Sequence, residues 1–181
     1  DLTKTIRRNI NYQLSTINYQ LRIGILGPES SGKTTLSQDL SQALHLPCVP
    51  YYARTFVQQL SRPYTLEDVF AIARHQIEEL RHFSAAVFDT ELILTKVWLL
   101  HKYHVCPDWV NQAIEQYPMS HYLLCYPDLP WQPDSTRENP HIRQELFDQY
   151  LSLVQATRIP FTIIRGTGST RFHQATKFLT H

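Results

Sequence analysis

Nine consecutive residues, Gly27-Pro28-Glu29-Ser30-Ser31-Gly32-Lys33-Thr34-Thr35, restrict this chain more than any other stretch. They fit G-x-x-x-x-G-K-[ST], the loop that cradles phosphate. Leu21-Arg22-Ile23-Gly24-Ile25-Leu26 precedes them as a short apolar run, which reads as a buried strand. After them Leu36, Leu40 and Leu44 recur at helical spacing. A strand, a glycine-bearing turn and a helix N-terminus are what the motif needs. Its backbone N–H groups then converge on an anion, and the helix end adds partial positive charge. The expected phosphate cradle is Gly27, Glu29, Ser30, Ser31, Gly32, Lys33, Thr34 and Thr35, with Lys33 on the β/γ-phosphates and the Thr34 hydroxyl on Mg²⁺.

Composition removes several classes of function. A formal net charge of +1 over 181 residues gives no bulk attraction to nucleic acid or to an acidic membrane. Cys48, Cys106 and Cys125 are widely spaced and form no C-x-x-C pair, so neither a zinc site nor a disulfide framework is expected, and a reducing, cytoplasmic setting is. No run of 18 apolar residues and no signal peptide is present. His101 and His104 have ligand-like spacing but no acidic or thiol partner nearby, and read as a solvated helix face.

The rest of the chain alternates strand and helix. Residues 1–20, with Lys4, Arg7 and Arg8, read as a helix and linker, and residues 21–181 as one domain. Leu46 to Val49 reads as a second strand closed by Pro50, and Tyr51 to Arg62 as a helix. Ligands of such sheets bind beyond the strand ends, which puts Tyr51, Tyr52 and Arg54 in reach of a substrate. Thr65 starts a helix to about Arg81 that carries Gln76, whose amide could read a polar edge. Phe83 to Asp89 is an apolar run ending in an acid, and it would deliver Asp89 to Mg²⁺ beside the P-loop. Thr90 and Glu91 continue that site or cap a helix from Leu92 to Tyr103, in which Trp98 and Leu99 read as core. Pro107–Tyr117 reads as a helix and His121–Cys125 as a strand. The loop that follows carries Pro127, Pro130, Pro133 and Pro140 with Trp131, and so resists regular structure. A loop this long is expected to be functional: a lid bringing Arg137 and Arg143 onto the transferring phosphate. Ile142–Thr157 reads as a helix, Pro160–Ile164 as the last strand, Gly166–Ser169 as a turn near an adenine and Arg171–Leu179 as a closing helix. The class is α/β with a parallel sheet.

Taken together, the P-loop, Tyr52-Ala53-Arg54, the Gln76 helix, Phe88-Asp89-Thr90-Glu91 and Asp128-Leu129-Pro130-Trp131 with Asp134 and Arg137 occur in an order that resembles the ribosylnicotinamide kinase domain of the NadR-type bifunctional proteins of NAD metabolism. The resemblance runs from about residue 21 to 178. It implies a three-layer P-loop sandwich with a five-stranded parallel sheet in order 2-3-1-4-5 and a lid loop. It implies ATP and Mg²⁺, and phosphorylation of the 5′-hydroxyl of nicotinamide riboside to nicotinamide mononucleotide. Lys33, Asp89, Arg137 and Arg143 would be catalytic, Thr34 and Asp89 would hold the metal, and Tyr51, Tyr52, Arg54, Gln76, Trp131 and Asp134 would meet the substrate. Lys4-Thr5-Ile6-Arg7-Arg8-Asn9 is similar to the segment that ends adenylyltransferase domains, which precede the kinase in that family, so fusion to such a domain is a further expectation. The chain departs from the pattern at Tyr51, where relatives carry Glu, and at Ser135, where they often carry Gly. A kinase of another nucleoside or nucleotide, or an ATP-binding regulatory module with little turnover, are the competing readings.

Overall fold

The computed structural model describes residues 20–134 and 136–180. The helix and linker expected over residues 1–20 lie outside the described residues except for Gln20. The described strands are β1 (Arg22–Leu26), β2 (Cys48–Val49), β3 (Ala86–Asp89), β4 (His121–Cys125) and β5 (Phe161–Ile164). They form one parallel sheet in the order β2-β3-β1-β4-β5, as the resemblance implies. The described helices are α1 (Lys33–Leu44), α2 (Tyr52–Gln58), α3 (Leu66–His82), α4 (Leu92–Trp98), α5 (Asp108–Gln116), α6 (Arg143–Thr157) and α7 (Ser169–Leu179).

Because β1 lies at the centre, both of its faces are covered, and it reads as an unbroken apolar run for that reason. On one face, Ile23, Ile25, Val87 and Leu123 meet Leu36 and Leu40 of α1 and Ala175 of α7. On the other, Leu26, Phe88 and Leu124 meet side chains of α3, α4, α5 and α6. Three layers result. Arg22, the one charge in β1, is 2% exposed and survives there because its guanidinium donates to Phe83 O (3.0 Å), Leu80 O (2.9 Å) and Gln20 Oε1 (2.7 Å). It thereby closes the C-terminal end of α3.

Several elements differ from the sequence reading, among them β3, which begins at Ala86 rather than Phe83, and α7, which begins at Ser169. β2 is shorter than the expected Leu46–Val49 because Pro47 and Pro50 bracket it and can donate no ladder hydrogen bond. α2 ends at Gln58, well short of Arg62. The helix expected over Leu92–Tyr103 is α4 followed by a π-helical turn, Leu99–Tyr103, which stops at His104 with φ 55. Leu99 is core as expected, but Trp98 is only half-buried. The connection between β4 and α6 folds back over the N-terminal end of α1, and this places it against the P-loop.

Candidate active site

The P-loop conformation follows from its glycines. Gly27 has φ 148, and a Cβ there would stand 2.6 Å from Cys125 O. Gly32 has φ 78, and a Cβ there would meet Leu129 Cδ1 at 2.9 Å. Only glycine fits both the dihedral and the space. Ser31 Oγ donates to Pro28 O at 2.7 Å, and Lys33 Nζ donates to the same carbonyl at 2.8 Å, so the lysine lies across the mouth of its own loop. Burial lowers the Lys33 pKa, while Asp89 pulls the other way.

β3 brings Asp89 to the loop, as expected. Its Oδ2 accepts from Thr34 Oγ1 at 2.7 Å, while its Oδ1 is buried without a partner. A hydroxyl beside a carboxylate with one free, desolvated oxygen is a hard oxygen donor set, which fits Mg²⁺. Among the described residues no group of three or more His, Cys, Asp or Glu could hold an ion, so an ion here would share its coordination with phosphate oxygens.

Other P-loop side chains face the β4–α6 connection. The Glu29 carboxylate accepts from the backbone N–H of Glu138 (3.1 and 3.2 Å) and of Asn139 (2.9 Å). Glu29 lines the cavity as expected of the cradle, but its carboxylate points to the β4–α6 connection, where two amide donors satisfy it. Ser30 Oγ and the backbone of Gln132 exchange hydrogen bonds at 3.1 and 3.3 Å. Arg143, expected to swing onto phosphate, is fully engaged elsewhere. It donates to Glu29 O (3.0 Å), Leu129 O (3.0 Å) and Ser30 O (3.1 Å). Three carbonyls hold it as a strut between the two loops, and it does not line the cavity.

A cavity of about 380 Å³ opens from the P-loop. Its lining includes the polar groups Lys33, Thr34, Asp89, Arg54 and Arg137 together with Tyr51, Tyr64, Trp98, Tyr150 and Leu146. Arg54 Nε is buried without a hydrogen-bond partner. Burial, then the nearby Glu29, raises the Tyr51 pKa, so its hydroxyl stays protonated. Arg137 is paired with Asp134 at 2.9 Å and donates to Gln132 O.

Four residues expected at the substrate do not line this cavity. Tyr52 stacks on His75 with ring centroids 3.5 Å apart. Neighbouring helical residues point about 100° apart, so Tyr51 and Arg54 can share a face while Tyr52 turns from it. Gln76 is 3% exposed and accepts from Thr95 Oγ1 at 2.6 Å, between α3 and α4. It stands in the same buried stripe as Val69, Ala73 and Leu80, where an amide needs a partner. Trp131 lies outside the cavity, and Asp134 reaches it only through Arg137.

The sequence reading missed several contributors. His101, read as solvated, lines the cavity on the stripe of Leu94, Val97 and Trp98. Tyr64, Tyr150 and Glu138 line it too. Arg171, 5% exposed, donates to Ser31 O (2.6 Å), Gly166 O (2.6 Å), Tyr126 O (3.0 Å) and the Asp128 carboxylate. It ties the P-loop to the turn after β5. An arginine in register with buried Ala175 was the available signal. Glu91, the alternative cap, is that: it accepts from Ile93 N at 3.1 Å at the start of α4. A second hollow borders Gly32 and Thr35 on one side and Gly168 and Ser169 on the other.

Comparison with known proteins agrees with this fold. Residues 22–171 match the model of a family described as AAA domain. No curated protein sequence matches the chain. Among solved structures, NadR protein in complex with NR is similar at TM-score 0.78 and 19% identity, over 97% of this chain and 56% of that one. NadR protein in complex with NAD and AMP-PNP is similar at TM-score 0.72 and 20% identity, over 97% and 55%. Deoxyadenosine kinase from M. mycoides, with dCMP and dCDP bound, is similar at TM-score 0.62 and 12% identity, over 88% and 98%. The chain thus spans about half the length of the NadR structures it matches. At these identities the likeness is one of fold. The family match, running from the first residue of β1 to the arginine that locks the turn behind β5, makes the chain a member of the AAA domain family of P-loop proteins.

Proposed function

We propose that the chain is an ATP- and Mg²⁺-dependent kinase that phosphorylates the 5′-hydroxyl of nicotinamide riboside to give nicotinamide mononucleotide. One observation carries the reading: a single chamber is lined both by the phosphate-handling residues Lys33, Thr34, Asp89, Arg54 and Arg137 and by the rings of Tyr51, Tyr64, Trp98 and Tyr150. An acceptor seated in the chamber points its hydroxyl at the P-loop. Tyr51, Tyr64, Trp98 and Tyr150 offer aromatic faces, which suit a cationic pyridinium ring. The hydroxyl oxygen bonds to the γ-phosphorus as the bond to the ADP oxygen breaks, and the hydroxyl proton passes late to an oxygen of the transferred phosphoryl group. Lys33 leaves Pro28 O for the phosphates, and Arg137 meets charge that grows during transfer. Mg²⁺ held by Thr34 and Asp89 would neutralise phosphate oxygens. The hollow at Gly168 and Ser169 is the place for the adenine. The three cysteines are free, which supports a reducing, cytoplasmic setting. Fusion to an adenylyltransferase domain belongs to the same reading and rests on Lys4–Asn9 and on the length of NadR.

Two observations favour other readings. Tyr51 stands where a carboxylate would hold ribose hydroxyls, and this suits another nucleoside or nucleotide. Lys33 on Pro28 O and Arg137 on Asp134 suit a module of low turnover. Labelled ATP and a panel of nucleosides separate them. Label transferred to nicotinamide riboside supports the proposal, transfer only to another nucleoside moves the substrate, and ATP binding without transfer to any acceptor leaves the regulatory module.

A further inference from the structure

Glu138 makes two kinds of contact at once. Its backbone N–H donates to the Glu29 carboxylate at 3.1 and 3.2 Å. Its side-chain Oε2 accepts from Tyr64 Oη at 2.7 Å and lies 3.3 Å from Lys102 Nζ. Tyr64 Oη in turn accepts from Lys102 Nζ and from Trp98 Nε1, the latter at 3.3 Å. The Lys102 ammonium sits 4.0 Å from the Tyr64 ring centroid, and Trp98 meets the same ring edge-on at 4.9 Å. An isolated surface ion pair does little, but here one carboxylate oxygen is shared by a phenol and an ammonium that also bind each other. Tyr64, Trp98 and Glu138 all line the cavity, whereas Lys102 stands behind them.

We propose that Glu138 is a positioning residue: its carboxylate, latched on Tyr64 and Lys102, holds residues 136–139 against the aromatic side chains of the cavity, and its amide joins that contact to Glu29 of the P-loop. The aromatic wall and the phosphate loop are then coupled through one residue. An acceptor that orders Tyr64 and Trp98 strengthens the latch, and the latch steadies the loop that carries Arg137. The latch itself is a property of the free chain; its effect on turnover rests on the kinase reading above.

Amide exchange measured by NMR on the full chain tests the latch without turnover. Lys102→Met removes the ammonium from an exposed position and leaves the cavity wall in place. Exchange at the Glu138 and Asn139 amides should quicken about tenfold, while the amides of Ile25 and Leu123 in the sheet stay protected. Tyr64→Phe, which keeps the ring and removes the hydroxyl, should do the same. Wild-type exchange rates at Glu138 and Asn139 in both variants overturn the latch. With whichever acceptor the wild type phosphorylates, both variants should raise KM for the acceptor several-fold more than they change kcat, and Glu138→Gln should fall between them and wild type. An unchanged acceptor KM overturns the positioning role. A wild type that phosphorylates no acceptor removes the kinase reading alone, and the exchange rates still decide the latch.

Discussion

The Thr34 hydroxyl donates to Asp89 Oδ2 across 2.7 Å and joins the first turn of α1 to the end of β3. The other Asp89 oxygen is left buried and bare. On the proposed reading that open oxygen is what a Mg²⁺ ion would take.

Asp89→Asn keeps the acceptor for Thr34 and removes the charge. Mg²⁺-dependent activity should be lost, while binding of ATP without metal changes little. Titration of Mg²⁺ against activity and against nucleotide affinity checks both. A wild-type metal response would reduce Asp89 to a strand-end acceptor.

Lys33→Ala should leave folding intact, because Lys33 Nζ is held by a single carbonyl. Phosphoryl transfer should drop by at least a hundredfold, the loss of about 3–4 kcal/mol that follows removal of one preorganised contact to the transition state. Turnover above a tenth of wild type would show that another group carries the phosphate.

Arg137→Ala should lower kcat far more than it raises KM, because on the proposed reading the guanidinium would meet charge that exists only during transfer. Arginines in this role contribute about 10³–10⁵ in rate. Asp134 pairs with Arg137 at rest, so Asp134→Asn should alter how readily Arg137 is released. Steady-state kinetics of the two variants separate these effects.

Arg171→Met removes a buried cation that serves three carbonyls and the Asp128 carboxylate. Breaking such a buried pair costs about 3–5 kcal/mol, because the remaining partners stay desolvated and unpaired. Urea unfolding should show the loss, and Asp128→Asn in the same background should recover part of it.

Glu91 gives the fold a pH dependence. Burial pushes its pKa up to about 8, only partly opposed by the amides of Ile93 and Leu92. The unfolded chain releases that proton near the ordinary carboxylate value of about 4.3. Between those pH values the native state binds more protons than the unfolded state, so stability falls as pH rises, by up to about 1.4 kcal/mol per pH unit, and levels off above the native value. Glu91→Gln still accepts from Ile93 N and should flatten the profile, raising Tm most at pH 8–9. Thermal melts from pH 5 to 9 check it; parallel profiles for the two proteins would contradict the shift.

What could be read in advance was local. The P-loop, β1 and β4 announce themselves because glycine, lysine and an apolar run act over a few neighbouring residues. His121–Cys125 is a strand in both readings for that reason. Side-chain direction was legible only where a stripe was continuous. Gln76 could have been placed with Val69, Ala73 and Leu80, and His101 with Leu94 and Trp98. Tyr52 could not, because its turn away from the cavity depends on how α2 docks on α3. Arg143, Arg171 and Glu138 were hidden for a different reason: their partners at Ser30, Ser31 and Glu29 lie more than a hundred positions away in the chain. Polar recognition at such separation leaves no local pattern.

The strand order bears on how the chain is made. β1 pairs only with β3 and β4, so Ile23 has no neighbour in the sheet until Val87 and His121 exist. Parallel pairing of distant segments is slow, because the loops between them must close before any contact rewards the closure. The phosphate loop is therefore synthesised before the two strands that flank its own strand in the sheet. A chain interrupted before His121 carries the whole motif yet lacks the strand whose Cys125 carbonyl abuts Gly27, and its binding loop stays unformed until translation passes that point.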